Sequence, residues 1–202
     1  MANSKIVVYG LSTEGYGIAS QLAIKGADVY IIDESTPSAI SLKAEIAKTY
    51  PNVSSLKEDE PLLAMEPIEV AISKADYLFF TPRIRKTGQD IKTEIHSKFK
   101  DAVTSLKKNS SVIFTLATGF GGNNENISLL EHVTGLQAGK NISYFYYPLE
   151  DLNQQPKIIG SFNGKKDPVL ADLLSNTKKE KEFVAISSSE HFHAIEIGRA
   201  HV

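Results

Sequence analysis

Short, unbroken runs of β-branched and aliphatic residues alternate along this chain with longer stretches whose apolar positions recur at helical spacing. The first run, Lys-Ile-Val-Val-Tyr over residues 5–9, is closed by Gly10. A continuous apolar run of that length predicts a strand covered on both faces. Over residues 16–25 the apolar positions Ile18, Leu22 and Ile24 predict a helix, with Gly26 where a helix C-terminal glycine belongs. Residues 29–32 predict a second buried strand, ended by Asp33. A strand, a glycine-bearing turn, a helix and a strand in about 30 residues make a right-handed, parallel βαβ unit.

The alternation continues to the end. A helix is expected over 38–49, with Ala39, Ile40, Leu42, Ala44, Ile46 and Ala47 on its apolar side, then a polar loop over 52–68. A short helix over 67–74, a strand over 76–80, a long amphipathic helix over 91–107 and a strand over 111–116 follow. After these come a helix over 126–133, strands over 143–147 and 156–160, a helix over 168–175 and a last strand over 182–186. This order predicts an α/β domain, an open and mostly parallel sheet with helices on both faces. The best boundary lies at Ser187-Ser188-Ser189, which divides residues 1–186, the domain proper, from residues 187–202, the start of a connecting helix or a tail.

The turn after the first strand carries the first chemistry. Gly10-Leu-Ser-Thr-Glu-Gly15 places glycines in the first and third positions of a dinucleotide fingerprint, with Ser12 in the middle position. The amides that open the following helix, with its positive dipole end, suit a pyrophosphate; Gly10, Leu11, Ser12, Thr13 and Gly15 are therefore cofactor-binding candidates. Ser12 either pushes a phosphate outward or donates its hydroxyl to it, and Glu14 is an unfavourable charge there. Without a ligand, the same glycines serve only tight strand–helix packing. Asp33 stands where a carboxylate accepts from the adenosine ribose diol and repels a 2′-phosphate, which favours NAD over NADP. It also suits the cap of the next helix. With this motif the fold reads as Rossmann-like and doubly wound.

Composition narrows the partners. With 202 residues, 42% hydrophobic and 23% charged, the chain suits one globular domain with a sizeable core. A net charge of −2 gives no electrostatic case for nucleic acid or an acidic membrane surface. The lysines at 107–108 and at 178, 179 and 181 read as solvated faces. The chain has no cysteine, hence no disulfide, thiolate metal site or cysteine nucleophile. Its start shows no signal-peptide pattern and no apolar run approaches about 18 residues, so a soluble cytoplasmic protein is expected. Glu190 and His193 share a helix face while His191 points elsewhere; the histidines read as surface residues, and no metal site is expected. Tyr144 to Tyr147 form an aromatic run of which alternation would bury half. Gly119-Phe-Gly-Gly-Asn-Asn reads as a flexible loop at a strand's carboxyl end, either a mobile turn or a lid.

Several segments, in order, resemble the UDP-glucose/GDP-mannose dehydrogenase family. They are the first turn; Ser73-Lys-Ala-Asp-Tyr-Leu-Phe-Phe-Thr-Pro82; Gly88-Gln-Asp-Ile91; the stretch from Leu106 to Thr118; Gly135-Leu-Gln-Ala-Gly139 through Tyr147-Pro148; and Pro156-Lys-Ile-Ile-Gly160. The resemblance implies the family's N-terminal NAD-binding domain, with Gly10, Leu11, Asp33, Thr81, Pro82 and Thr118 touching the cofactor. It implies oxidation of a nucleotide-sugar alcohol with hydride transfer to NAD, and Thr118, Glu150 and His193 as the catalytic candidates. A homodimer or a separate catalytic partner chain is implied as well.

The departures bear on activity. Phe120-Gly-Gly-Asn-Asn124 replaces the family's Pro-Pro-Gly-Thr-Thr loop, and its Ser-Pro-Glu acid falls on Leu149 unless Glu150 replaces it. The family's lysine and asparagine fall on His193 and Ile197. The family's cysteine belongs to a later domain, so this chain is expected to be incomplete alone. The alternative is a non-catalytic dinucleotide-binding module.

Overall fold

The computed structural model describes residues 4–42, 65–88, 90–149, 155–175 and 180–200, with side chains through 195. Strand β1 (Lys5–Tyr9) leads through helix α1 (Thr13–Ile24) to β2 (Asp28–Ile32). Strands β3 (Ser38–Leu42) and β4 (Met65–Pro67) precede α2 (Ile68–Lys74), β5 (Tyr77–Phe80) and α3 (Asp90–Val103). Then come β6 (Ser111–Phe114), α4 (Gly122–Thr134), β7 (Ser143–Tyr146) and β8 (Ile158–Ser161). A 3₁₀ turn (Phe162–Gly164), α5 (Pro168–Leu174), β9 (Glu182–Ala185) and α6 (Ile186–Ala200) complete the described chain.

The strands form one sheet in the order β4-β3-β2-β1-β5-β6-β7-β8-β9. The five central strands, β2 to β7, run parallel, as buried β-branched runs joined by helices must. Helices α1 and α5 cover one face, where Ile18, Leu22, Leu170 and Leu174 meet Val8, Ile31, Phe79 and Phe145. Helices α2, α3 and α4 cover the other, where Ile72, Phe99, Val103 and Leu130 meet Val7, Leu78, Phe80 and Phe114. The expected α/β class and doubly wound layering are what the structure shows.

Three expectations are corrected. The segment 38–42 is a strand, antiparallel to β2, with Ile40 opposite Ile31 and Ala39 opposite Ile32; residues 43–49 lie outside the described residues. The cause is the turn that precedes it. The Asp33 carbonyl accepts from Thr36 N at 3.0 Å and its carboxylate from Ser35 N at 3.1 Å, folding the chain back on β2. Asp33 therefore builds an Asx turn and caps no helix. Second, Tyr144, Phe145, Tyr146 and Tyr147 are all buried, because β7 lies inside the sheet with both faces covered. Third, Lys181 is buried: its ammonium donates to Tyr147 Oη at 2.8 Å and to the Pro156 carbonyl at 2.7 Å. Lys178 and Lys179 lie outside the described residues.

Helix boundaries also moved. The first helix begins three residues early, at Thr13, because Ser12 caps it. Met65–Pro67, expected as loop, adds to the sheet edge against β3. The segment beyond Ser187 packs on the sheet: a Cβ on Gly160 would lie 2.2 Å from Ser189 Oγ, so α6 rests directly on the backbone of β8.

Candidate functional site

Register gathers the site. Ile32, Tyr9, Phe80, Phe114 and Tyr146 lie in one row across β2, β1, β5, β6 and β7. The residues that follow them, Asp33, Gly10, Thr81, Thr115 and Tyr147, therefore leave the sheet at a common carboxyl edge. At about 4.8 Å between neighbouring strands, β2 to β6 spans about 14 Å. Strand order reverses at β1, between β2 and β5, the switch point where open α/β sheets leave a crevice.

Close packing of backbone shapes the centre of this edge. Gly10 has φ +107°, and a Cβ there would lie 2.3 Å from the Thr81 carbonyl oxygen. A Cβ on Gly15 would lie 2.4 Å from both the Gly10 oxygen and Thr81 Oγ1. The buried Thr81 hydroxyl sits 3.0 Å from the Gly10 carbonyl, to which it donates. Both fingerprint glycines are thus required by the contact of β1, α1 and the turn after β5. Ser12 Oγ accepts from Gly15 N at 2.9 Å, an N-cap that turns the hydroxyl inward. The amides of Leu11, Ser12, Thr13 and Glu14 have no acceptor among the described residues. They can receive a pyrophosphate, although the half-buried Glu14 carboxylate stands beside them. Among the described residues, Ser12 bonds within its own turn and the Glu14 carboxylate makes no ion pair.

A polar strap that the sequence reading missed crosses the same turn. Arg83 Nη2 donates to the Leu11 carbonyl at 2.7 Å, and its amide donates to Glu34 Oε1 at 3.0 Å. Lys98 pairs with Glu34 and, at 3.1 Å, with Glu94 Oε1. The turns after β2 and β5 are thereby tied together over the end of β1, next to Asp33. Tyr9 lies beneath, its phenol pushed up to about 12 by burial, then by Asp101 and Glu34. The one sequence signal for this strap was a basic residue directly after Thr81-Pro82.

At the other end of the edge, Thr118 N donates to Tyr146 Oη at 3.1 Å. Asn123, fully buried, is the hub: its Nδ2 donates to Thr118 Oγ1 at 2.8 Å and to Glu190 Oε1 at 2.7 Å, and its Oδ1 accepts from Tyr144 Oη at 2.7 Å. The Glu190 carboxylate also accepts from Gly121 N at 3.0 Å and Asn123 N at 3.1 Å. A carboxylate from α6 thus caps α4 and fixes the glycine loop after β6. Burial drives the Tyr144 phenol well above its ordinary value, so it remains a donor to Asn123. His193, expected at the surface, is 4% exposed and meets the Tyr146 ring edge-on with centroids 5.6 Å apart. His191 is exposed, as the helical spacing implied, and lies against Phe120 at the loop tip.

The structure thus brings Gly10 to Gly15, Asp33, Thr81, Pro82, Thr118 and His193 to one side of one sheet. Glu150 lies outside the described residues. Among those described, no three of His, Asp and Glu gather as a metal site, and no helix is long and apolar enough to cross a membrane.

These features define a doubly wound α/β domain with an open helix N-terminus at its switch point. No protein-family model and no curated protein sequence matches the chain. Among solved structures its fold is that of nucleotide-sugar dehydrogenases. A ternary complex of GDP-mannose dehydrogenase from Pseudomonas aeruginosa superposes with TM-score 0.70 at 14% identity, over 98% of this chain and 50% of that one. NDP-N-acetyl-D-galactosaminuronic acid dehydrogenase from Methanosarcina mazei gives 0.71 at 15%, over 96% and 46%. A reductive aminase from Aspergillus terreus in complex with NADPH and ethyl-5-oxohexanoate gives 0.59 at 11%, over 99% and 62%. The chain spans about half the length of the sugar-nucleotide enzymes, which cover 96–98% of it in turn.

Proposed function

We propose that this chain is the NAD-binding part of a nucleotide-sugar dehydrogenase of the UDP-glucose/GDP-mannose type, working in the cytoplasm. The reading rests above all on the row of strand ends that carries Asp33, Gly10, Thr81 and Thr115 across about 14 Å, with Thr118 three residues past the last of them. The acceptor-free amides from Leu11 to Glu14 hold the pyrophosphate, Asp33 takes the adenosine ribose, and Thr81, Pro82 and Thr118 line the path to the reacting end. Asp33 disfavours a 2′-phosphate, hence NAD. When bound, NAD supplies the hydride acceptor. Thr118 orients the reacting end, His193 takes the proton from the sugar hydroxyl, and Glu150 is the acid assigned to the sugar by the sequence resemblance. Residues 1–186 form the cofactor domain, and α6 begins the passage to a catalytic part supplied by more chain, a second copy or a separate partner. With no thiol to trap an aldehyde, the chain alone does not complete oxidation to the acid.

One observation favours the alternative, a non-catalytic dinucleotide-binding module: His193 is packed edge-on against Tyr146 and is buried. Calorimetric titration with NAD, NADP and UDP-sugars, followed by NADH absorbance over a sugar panel, separates the two. Turnover supports the dehydrogenase and NAD binding without turnover the module. No dinucleotide binding refutes both.

A further inference from the structure

A cavity lies at the opposite, amino edge of the parallel strands, where Ser143 opens β7. It has a volume of about 380 Å³, within the range of small-molecule sites. Ser161, at the end of β8, pairs directly with Phe145 of β7, so its side chain shares the face covered by α5. Ser161 lines this cavity, and its buried hydroxyl has no hydrogen-bond partner among the described residues. A buried hydroxyl without a partner costs stability and is uncommon in a native fold. The rim adds Asn163, in the left-handed region at φ +59°, and the exposed Lys165 and Lys166. Neither lysine is paired with a carboxylate among the described residues. Asp167 also lines the cavity, but its carboxylate is engaged elsewhere. It accepts from Leu170 N at 3.0 Å and from Tyr77 Oη at 3.2 Å.

We propose that this cavity is an anion site for a small phosphate monoester, separate from the dinucleotide edge. The two lysines meet the phosphate dianion, the Asn163 amide adds a neutral donor, and the Ser161 hydroxyl gains its missing acceptor. Strand β7 separates the two sites, since its carboxyl end faces the cofactor edge and its amino end faces this cavity. A ligand here therefore binds without competing for the Leu11 to Glu14 amides. The cavity wall also reaches α6 through adjoining residues: next to Ser161 on β8, Gly160 touches Ser189, one residue before Glu190.

The test is an amide NMR titration of the full chain with inorganic phosphate, with acetate as a monoanion control. The proposal expects saturable shifts at Ser161, Asn163, Lys165 and Lys166, tighter for phosphate than for acetate. It expects at least a tenfold weakening at these amides in the Lys165→Ala/Lys166→Ala variant. Ser161→Ala provides the sharper check: without ligand the variant melts at the parent temperature or above, yet it binds phosphate several-fold more weakly. Non-saturating shifts, equal response of the double lysine variant, or a Ser161→Ala variant with unchanged phosphate affinity each overturn the proposal.

Discussion

Replacing Glu190 by alanine tests whether helix α6 organises the site. The carboxylate accepts from Gly121 N, Asn123 N and Asn123 Nδ2 at 2.7–3.1 Å. Gly121 is half-exposed, and water replaces its acceptor at little cost. The two Asn123 donors are fully buried, and a hydrogen bond to a charged acceptor is worth about 1.5–3 kcal/mol. Glu190→Ala therefore costs about 3–5 kcal/mol, including loss of the anion at the α4 N-terminus. For a chain of this size that lowers Tm by about 6–20 °C. Glu190→Gln keeps one acceptor but turns an NH₂ toward donors, and costs about 1–2 kcal/mol. The assay is urea unfolding followed by tyrosine fluorescence, with Thr118 amide NMR as a local probe through Asn123. A loss below about 1 kcal/mol for the alanine variant, or a glutamine variant worse than alanine, refutes the capping geometry.

Gly15→Ala places a methyl group 2.4 Å from the Gly10 oxygen and Thr81 Oγ1, and overpacking of that degree costs about 3 kcal/mol. Denaturant unfolding checks it, and a variant as stable as the parent contradicts the close approach. Asp33→Ala weakens NAD binding about tenfold, about 1.4 kcal/mol, and narrows the preference over NADP, as read by calorimetry. Equal affinity in parent and variant removes Asp33 from the ribose. Glu66 is held below the usual carboxylate range by hydrogen bonds from Lys74 at 2.6 Å and Lys5 at 2.9 Å. A lowered folded value makes this stabilisation complete above the unfolded pKa of about 4.3 and lost as pH falls through the folded one. Glu66→Gln thus flattens stability against pH on the acid side of about 4.3 and leaves its slope at neutral pH unchanged, measured by Tm across the range. An acid limb as steep as the parent's rules the contribution out.

The fold was legible where both faces of a strand are covered. Ile6 to Val8, Leu78 to Phe80 and Val112 to Phe114 needed no partner to be recognised, because uniform burial leaves an unbroken apolar run. The segment from Ser38 misled because Ala39, Ile40 and Leu42 suit a helical stripe as well as an edge strand. The decision lay in the Asp33 turn and in the free edge of β2, a pairing that propensity does not record. The start of α4 was hidden likewise. Gly121 and Gly122 carry no capping side chain, and the cap arrives from Glu190, 68 residues later than Gly122. At the site, Gly10, Gly15 and Asp33 were readable because their backbone demands are local. The Arg83–Glu34–Lys98 strap and the Asn123 hub join residues distant in sequence, so no spacing announced them. Alternation failed for Tyr144 to Tyr147 because it presumes one wet face, which an interior strand lacks.

Amide NMR mapping of NAD on the full chain measures the central idea directly. The account predicts saturable shifts centred on Leu11 to Glu14, Asp33, Thr81 and Thr118, with Ser161 and Lys165 unmoved. Shifts confined to other surfaces, or none as NAD reaches millimolar concentration, contradict it.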